Sequence, residues 1–136
     1  LKESIAAIRK QNGFVFIPHP EDPTRHGVSL QELQTVLNDI DAVEIYNGRA
    51  LSQRTAQINS VITGTDVQRI AASDAHAPSG LGRTYTTISS HPSSAEELLQ
   101  ALKESSEVTY AKPPVTSFLA PSFHRLRHRL GMRGTP

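Results

Sequence analysis

Three short apolar runs, each followed at once by a polar cluster, limit what this chain can fold into. They are Phe14-Val15-Phe16-Ile17, stopped by Pro18-His19-Pro20; Ala42-Val43-Glu44-Ile45-Tyr46, stopped by Asn47-Gly48; and Arg69-Ile70-Ala71-Ala72, which runs into Ser73-Asp74-Ala75-His76. A short, continuous apolar run bounded by turn residues suits a strand covered on both faces. Helical stripes lie between the runs. Ser29 stands three residues before Glu32, as in a capping box, and Leu30, Leu33, Val36 and Leu37 follow at helical spacing. Leu51, Ile58, Val61 and Ile62 form a second buried stripe closed by Gly64. Leu1, Ile5 and Ile8 give one more helix at the start, and a shorter strand is expected from Thr84 to Ile88. Ser94 with Glu97 reads as another capping box, before Leu98, Leu99 and Leu102.

Strands that alternate with helices through short loops pair in parallel with right-handed crossovers, so the expected class is an α/β sheet or part of a barrel. The corollary concerns position. In such folds the C-terminal ends of the strands share one rim, where sites are built, and the polar clusters named above all fall there.

The chain has 136 residues, 37% of them hydrophobic, which fits one domain with a core. A net charge of +1 offers no global field to steer nucleic acid or an anionic surface. The absence of cysteine excludes disulfides, zinc-thiolate sites and thiol nucleophiles, and any metal must be held by nitrogen and oxygen. No apolar run approaches the roughly 20 residues of a membrane span, and no signal peptide opens the chain, so no membrane association is expected and a cytoplasmic location is. The first residue is not methionine and the first stretch already reads as helix, so the chain is expected to begin inside a larger fold. The folded part is expected over residues 1–112. Residues 113–136 change character, with prolines at 113, 114 and 121, arginines at 125, 127, 129 and 133, and no acidic residue after Glu107. They read as a Pro/Arg-rich tail dispensable for the fold, with nucleic acid a conceivable partner of its basic patch.

Several rim residues have side chains suited to chemistry. His19 sits between two prolines directly after a strand, which stiffens its backbone and aims the imidazole at the rim. Residues two apart in an extended segment point to the same side, so Asp74 and His76 can aim a carboxylate and an imidazole at one locus. That pairing suits Zn²⁺, Mn²⁺ or Fe²⁺; an Asp and a His that merely orient each other in a turn would read the same. A serine triad has no support, since no strained serine elbow precedes them. Glu44, Tyr46, Asn47 and Arg49 cluster at the end of the middle strand. Arg25, with His26, follows His19 in a polar loop, where its planar fork could hold a phosphate or serve a surface ion pair.

Taken in order, Gly13-Phe14-Val15-Phe16-Ile17-Pro18-His19-Pro20 with Arg25, Val43-Glu44-Ile45-Tyr46-Asn47-Gly48-Arg49, and Ala72-Ser73-Asp74-Ala75-His76 followed by Leu81-Gly82 resemble the C-terminal half of the PHP (polymerase and histidinol phosphatase) family of metallohydrolases. The likeness covers roughly residues 1–105. It implies the C-terminal part of a distorted (β/α)7 barrel with parallel strands, and two or three divalent ions (Zn, Mn or Fe) at the rim of the full-length protein. It also implies that His19, Asp74 and His76 are metal ligands, that Arg25 contacts a substrate phosphate, and that Glu44 and Asn47 line the pocket. The family's N-terminal His-x-His element and its mid-chain histidine and glutamate ligands have no counterpart here; His26, His91, His124 and His128 do not replace them in spacing or context. The expected function is therefore part of a metal-dependent hydrolase that cleaves phosphoesters with a metal-activated water. Its expected partners are a phosphorylated small molecule or nucleotide and the missing N-terminal half of the same domain. Two alternatives are a noncatalytic binding or regulatory module that kept the fold, and a related hydrolase of C–N bonds.

Overall fold

A computed structural model describes residues 1–112 apart from positions 23, 51, 77 and 105. The tail reading for 113–136 and the placing of Leu51 on a helix face lie outside the described residues. The elements run α1 (Lys2–Arg9), β1 (Phe16–Ile17), α2 (Leu30–Gln34), β2 (Ala42–Asn47), α3 (Thr55–Ile62), β3 (Gln68–Ala72), β4 (Tyr85–Ile88), α4 (Ala95–Glu104) and β5 (Ser106–Thr109). The class is mixed α/β. Strands β1, β2 and β3 form one parallel sheet in sequence order, with α2 and α3 as the crossovers.

The local signals act as their chemistry requires. Ser29 accepts from the Glu32 backbone N–H while the Glu32 carboxylate accepts from the Ser29 N–H, so the α2 capping box is complete. Gly64, at φ +80°, follows the end of α3 in the left-handed conformation expected there. At α4, Ser94 Oγ accepts from the Glu97 N–H, but Glu97 reaches one residue further back and accepts from the Ser93 N–H at 2.7 Å. Helix α2 is shorter than its stripe: it ends at Gln34, and Val36 and Leu37 pack from the 3-10 turn after it.

The core lies between the helices and the parallel sheet. Leu33, Val36, Val43 and Ile62 are almost wholly buried, joined by Val15, Ile17, Ile45 and Ile58. Of the opening stripe only Ile5 is buried; Leu1 and Ile8 remain substantially exposed.

The fourth strand departs from the expected alternation. Strand β4 pairs antiparallel with β5, which the sequence pattern did not suggest, and the two form a separate sheet. The physical reason lies at Ala71. Thr86 Oγ1 accepts from the Ala71 N–H at 2.7 Å and donates to the Ala71 carbonyl at 3.0 Å, so a side chain satisfies the free edge of β3 where a parallel strand would otherwise dock. Among the described residues no helix is long and apolar enough to cross a membrane.

Asp41 joins α1 to the sheet. Its carboxylate accepts from both terminal nitrogens of Arg9, at 2.7 and 2.9 Å, and from the buried Val15 N–H at 2.7 Å. Arg9 is 41% exposed and Asp41 only 8%, so the ion pair is partly solvated and the bond to Val15 is the costlier one to lose. Asp41→Ala should therefore destabilise by about 1–3 kcal/mol through the orphaned Val15 N–H, with Arg9→Ala costing clearly less. Equal losses for the two variants in chemical denaturation would contradict this account.

Candidate metal and phosphate site

The site forms where β1, β2 and β3 end. In β2 the register slips: Glu44 lies opposite Ile70 but Tyr46 lies opposite Ala71, so β2 spends one extra residue at Ile45. In a regular strand, positions three apart point to opposite faces. The slip turns Asn47 back toward Glu44, and Asn47 Nδ2 donates to Glu44 Oε2 at 2.9 Å. Beyond the strand, Gly48 bonds the Ala72 carbonyl and lies so close to β3 that a Cβ would stand 2.5 Å from the Ser73 oxygen. Only a residue without a side chain permits that approach, and it brings the Ser73-Asp74 backbone up against the end of β2.

Glu44 is almost fully buried, and its Oε2 also accepts from the His19 backbone N–H at 2.6 Å. Burial pushes its carboxyl above the usual range, although the bonds from Asn47 and the His19 backbone and the nearby charge of Arg25 work the other way. Asn47 Nδ2 reaches Asp74 Oδ2 at 3.3 Å, and Asn47 Oδ1 accepts from the Arg25 guanidinium at 3.1 Å and from the Arg49 N–H at 2.8 Å. The Asn47 main chain is clamped by Gln53, which accepts from its N–H and donates to its carbonyl. Arg25 also ion-pairs with Asp74 and with Asp22.

One hydrogen-bonded network thus links His19, Arg25, Glu44, Asn47 and Asp74. His76, half exposed, joins it through Nδ1, which lies 2.9 Å from the Asp74 carbonyl and 3.7 Å from its carboxylate. A carbonyl oxygen only accepts, so Nδ1 carries the proton and the lone pair of the neutral ring belongs to Nε2. Two backbone features stand out. His19 and Asp74 take positive φ values, 31° and 48°, which cost non-glycine residues on the order of 1–3 kcal/mol each. For His19 this departs from the extended form expected before a proline, and the bonds of its N–H to Glu44 and of its carbonyl to the Asp22 N–H hold it there.

A cavity of about 170 Å³ opens beside this network, lined by His19, Asp22, Glu44, Asn47, Gln53 and Arg54 among others. His19 Nδ1 is buried with no hydrogen-bond partner, as is Arg49 Nε. An orphaned buried ring nitrogen beside a carboxylate network fits a metal ligand better than a structural histidine. Among the described residues, however, no three His, Cys, Asp or Glu side chains stand together as a ready-made metal site. The donors present fit a part of a ligand set.

Asp22 was not singled out in the sequence, though Asp22-x-Thr24 is a recognisable Asx-turn pattern. Its Oδ1 accepts from the Thr24 N–H at 2.9 Å and hydroxyl at 2.6 Å, and its Oδ2 binds Arg25. Burial alone would raise its pKa, but the Thr24 and Arg25 bonds outweigh that and lower it to about 2. A depressed carboxyl stabilises the fold above the unfolded value of 3.8, and that contribution is lost as pH falls toward about 2. The stability gap between the natural chain and Asp22→Asn should therefore be constant above pH 5 and shrink as pH drops through this window. Denaturation at stepped pH checks it; a gap that persists unchanged to pH 2 would refute the assignment.

Comparison with known proteins adds one match. Residues 57–106, from within α3 to the start of β5, match a family model described as PHP-associated. No curated protein and no solved structure matches the chain. The matched stretch contains Asp74 and His76, and it supports reading this part of the chain as a PHP-family C-terminal region.

Proposed function

We propose that this chain supplies one side of the active site of a metal-dependent phosphoesterase of the PHP type. The observation that carries the reading is the network at the ends of β1, β2 and β3, in which two strained residues, His19 and Asp74, are held by Glu44, Asn47 and Arg25. Three parallel strands adjacent in sequence order are also what an arc of a distorted (β/α)7 barrel requires, and we assign them that place.

In this reading His19, Asp74 and His76 hold divalent ions, zinc, manganese or iron, with the remaining ligands coming from the N-terminal half of the domain. Such ions would supply Lewis acidity, which acidifies water and neutralises charge on a phosphoester. The protein's own groups do the rest. Glu44 fixes the His19 backbone, Asn47 spaces Glu44 from Asp74, and Arg25 presents a planar cationic fork at the same rim, suited to a phosphate. The substrate is a phosphorylated small molecule, a nucleotide or an oligonucleotide end.

One observation favours a second reading. Asp74 already has a permanent counter-ion in Arg25, as a noncatalytic module that dispensed with metal would need. Assay of the PHP domain that joins this chain to its N-terminal half, with Mn²⁺ and an activated phosphodiester, separates the two. The enzyme reading expects turnover that a chelator abolishes and that Asp74→Asn lowers by at least about 10–100-fold, the range found even for groups that only support a metal ligand. Turnover indifferent to chelator and to both His19→Ala and Asp74→Asn would overturn it.

A further inference from the structure

The Arg25 guanidinium is bonded to three neighbouring side chains. Its Nε and one terminal nitrogen donate to Asp22 Oδ2, that same terminal nitrogen reaches Asn47 Oδ1, and the other terminal nitrogen donates to Asp74 Oδ2. Asp22 is itself anchored by Thr24 through its second oxygen. Both ends of the Arg25–Asp74 pair are 22% exposed, so water screens the pair only in part. A guanidinium does not lose its proton in proteins, so the positive charge beside Asp74 is permanent.

The Asp74 carboxylate is also the group a divalent ion would use. Its Oδ2 takes both Arg25 and Asn47, which leaves that oxygen little capacity for a further partner. A cation arriving there meets a fixed like charge at bonding distance. We propose that Arg25 is a built-in counter-ion, which a divalent cation binding Asp74 through Oδ2 must displace, and that Asp22 retains the displaced guanidinium at the rim. The retention follows from the bond pattern: losing the Asp74 bond leaves the two donors to Asp22 in place, and Asp22 stays fixed by Thr24. Asp22 is in this sense a positioning residue. It keeps a cationic fork beside the ion, where an anionic group would be bound. The inference rests on the metal reading above.

Two measurements on the whole domain, in which this chain is joined to its N-terminal half, test it. The first uses no metal: thermal unfolding of the natural chain, Arg25→Gln, Asp74→Asn and the double variant. The ion pair requires non-additive losses, and strict additivity would overturn the inference whatever the metal does. The second is titration with Mn²⁺ alone, followed by electron paramagnetic resonance. Removing the competing charge in Arg25→Gln should tighten Mn²⁺ binding by about 10-fold or more, while Arg25→Lys, which keeps the charge, should stay near the natural affinity. Equal or weaker binding by Arg25→Gln overturns the competition and leaves the metal reading standing. Binding by neither chain overturns the metal reading and the competition with it.

Discussion

The carboxylate of Glu44 is the constraint on which the rest of the site depends. It is buried at the end of β2, and one of its oxygens accepts two bonds, from the His19 backbone and from the Asn47 amide. The first holds the end of β1 in a left-handed turn, and the second reaches on to Asp74 at the end of β3. Three strand ends are thereby tied to one buried group. A carboxylate in such a place is costly to ionise, as the upward push on its pKa records, and the donors around it offset that cost. The register slip at Ile45 and the bare backbone of Gly48 make the arrangement sterically possible.

Around this hub the carboxyl groups outnumber the fixed cation. Asp22 and Asp74 flank Arg25, and Glu44 lies close enough to feel its charge. In the reading proposed above, a divalent cation reaches this rim only by rearranging its ion pairs, because Arg25 already occupies Asp74.

Much of this was legible in the sequence, for physical reasons that can be named. The three apolar runs became the parallel strands β1, β2 and β3; β2 is buried almost throughout, whereas β3 leaves Arg69 exposed. The Ser29 capping box and the glycine after α3 behaved as local rules require. The rim followed from strand direction alone, and His19, Arg25, Glu44, Asn47, Asp74 and His76 meet there in one network. What escaped came from tertiary context. A one-residue slip in β2 has no signature in Glu44-Ile45-Tyr46-Asn47, yet it decides that Glu44 and Asn47 face each other. The pairing of β4 with β5 depends on Thr86 closing the edge of β3, and the anchoring of Arg25 depends on Asp22, a loop residue legible only as an Asx turn. Glu44 and Asn47 border the cavity beside the network and are both buried within its frame.

The central claim is the proposal that His19 and Asp74, held at the strand ends by Glu44, Asn47 and Arg25, are ligands of a metal ion. Diffraction at the zinc absorption edge, from crystals of the whole protein grown with Zn²⁺, tests it most directly. The account predicts anomalous peaks about 2.0–2.2 Å from a ring nitrogen of His19 and from a carboxylate oxygen of Asp74, with the Arg25 guanidinium withdrawn toward Asp22. Zinc bound only elsewhere, with Arg25 still on Asp74, would contradict it.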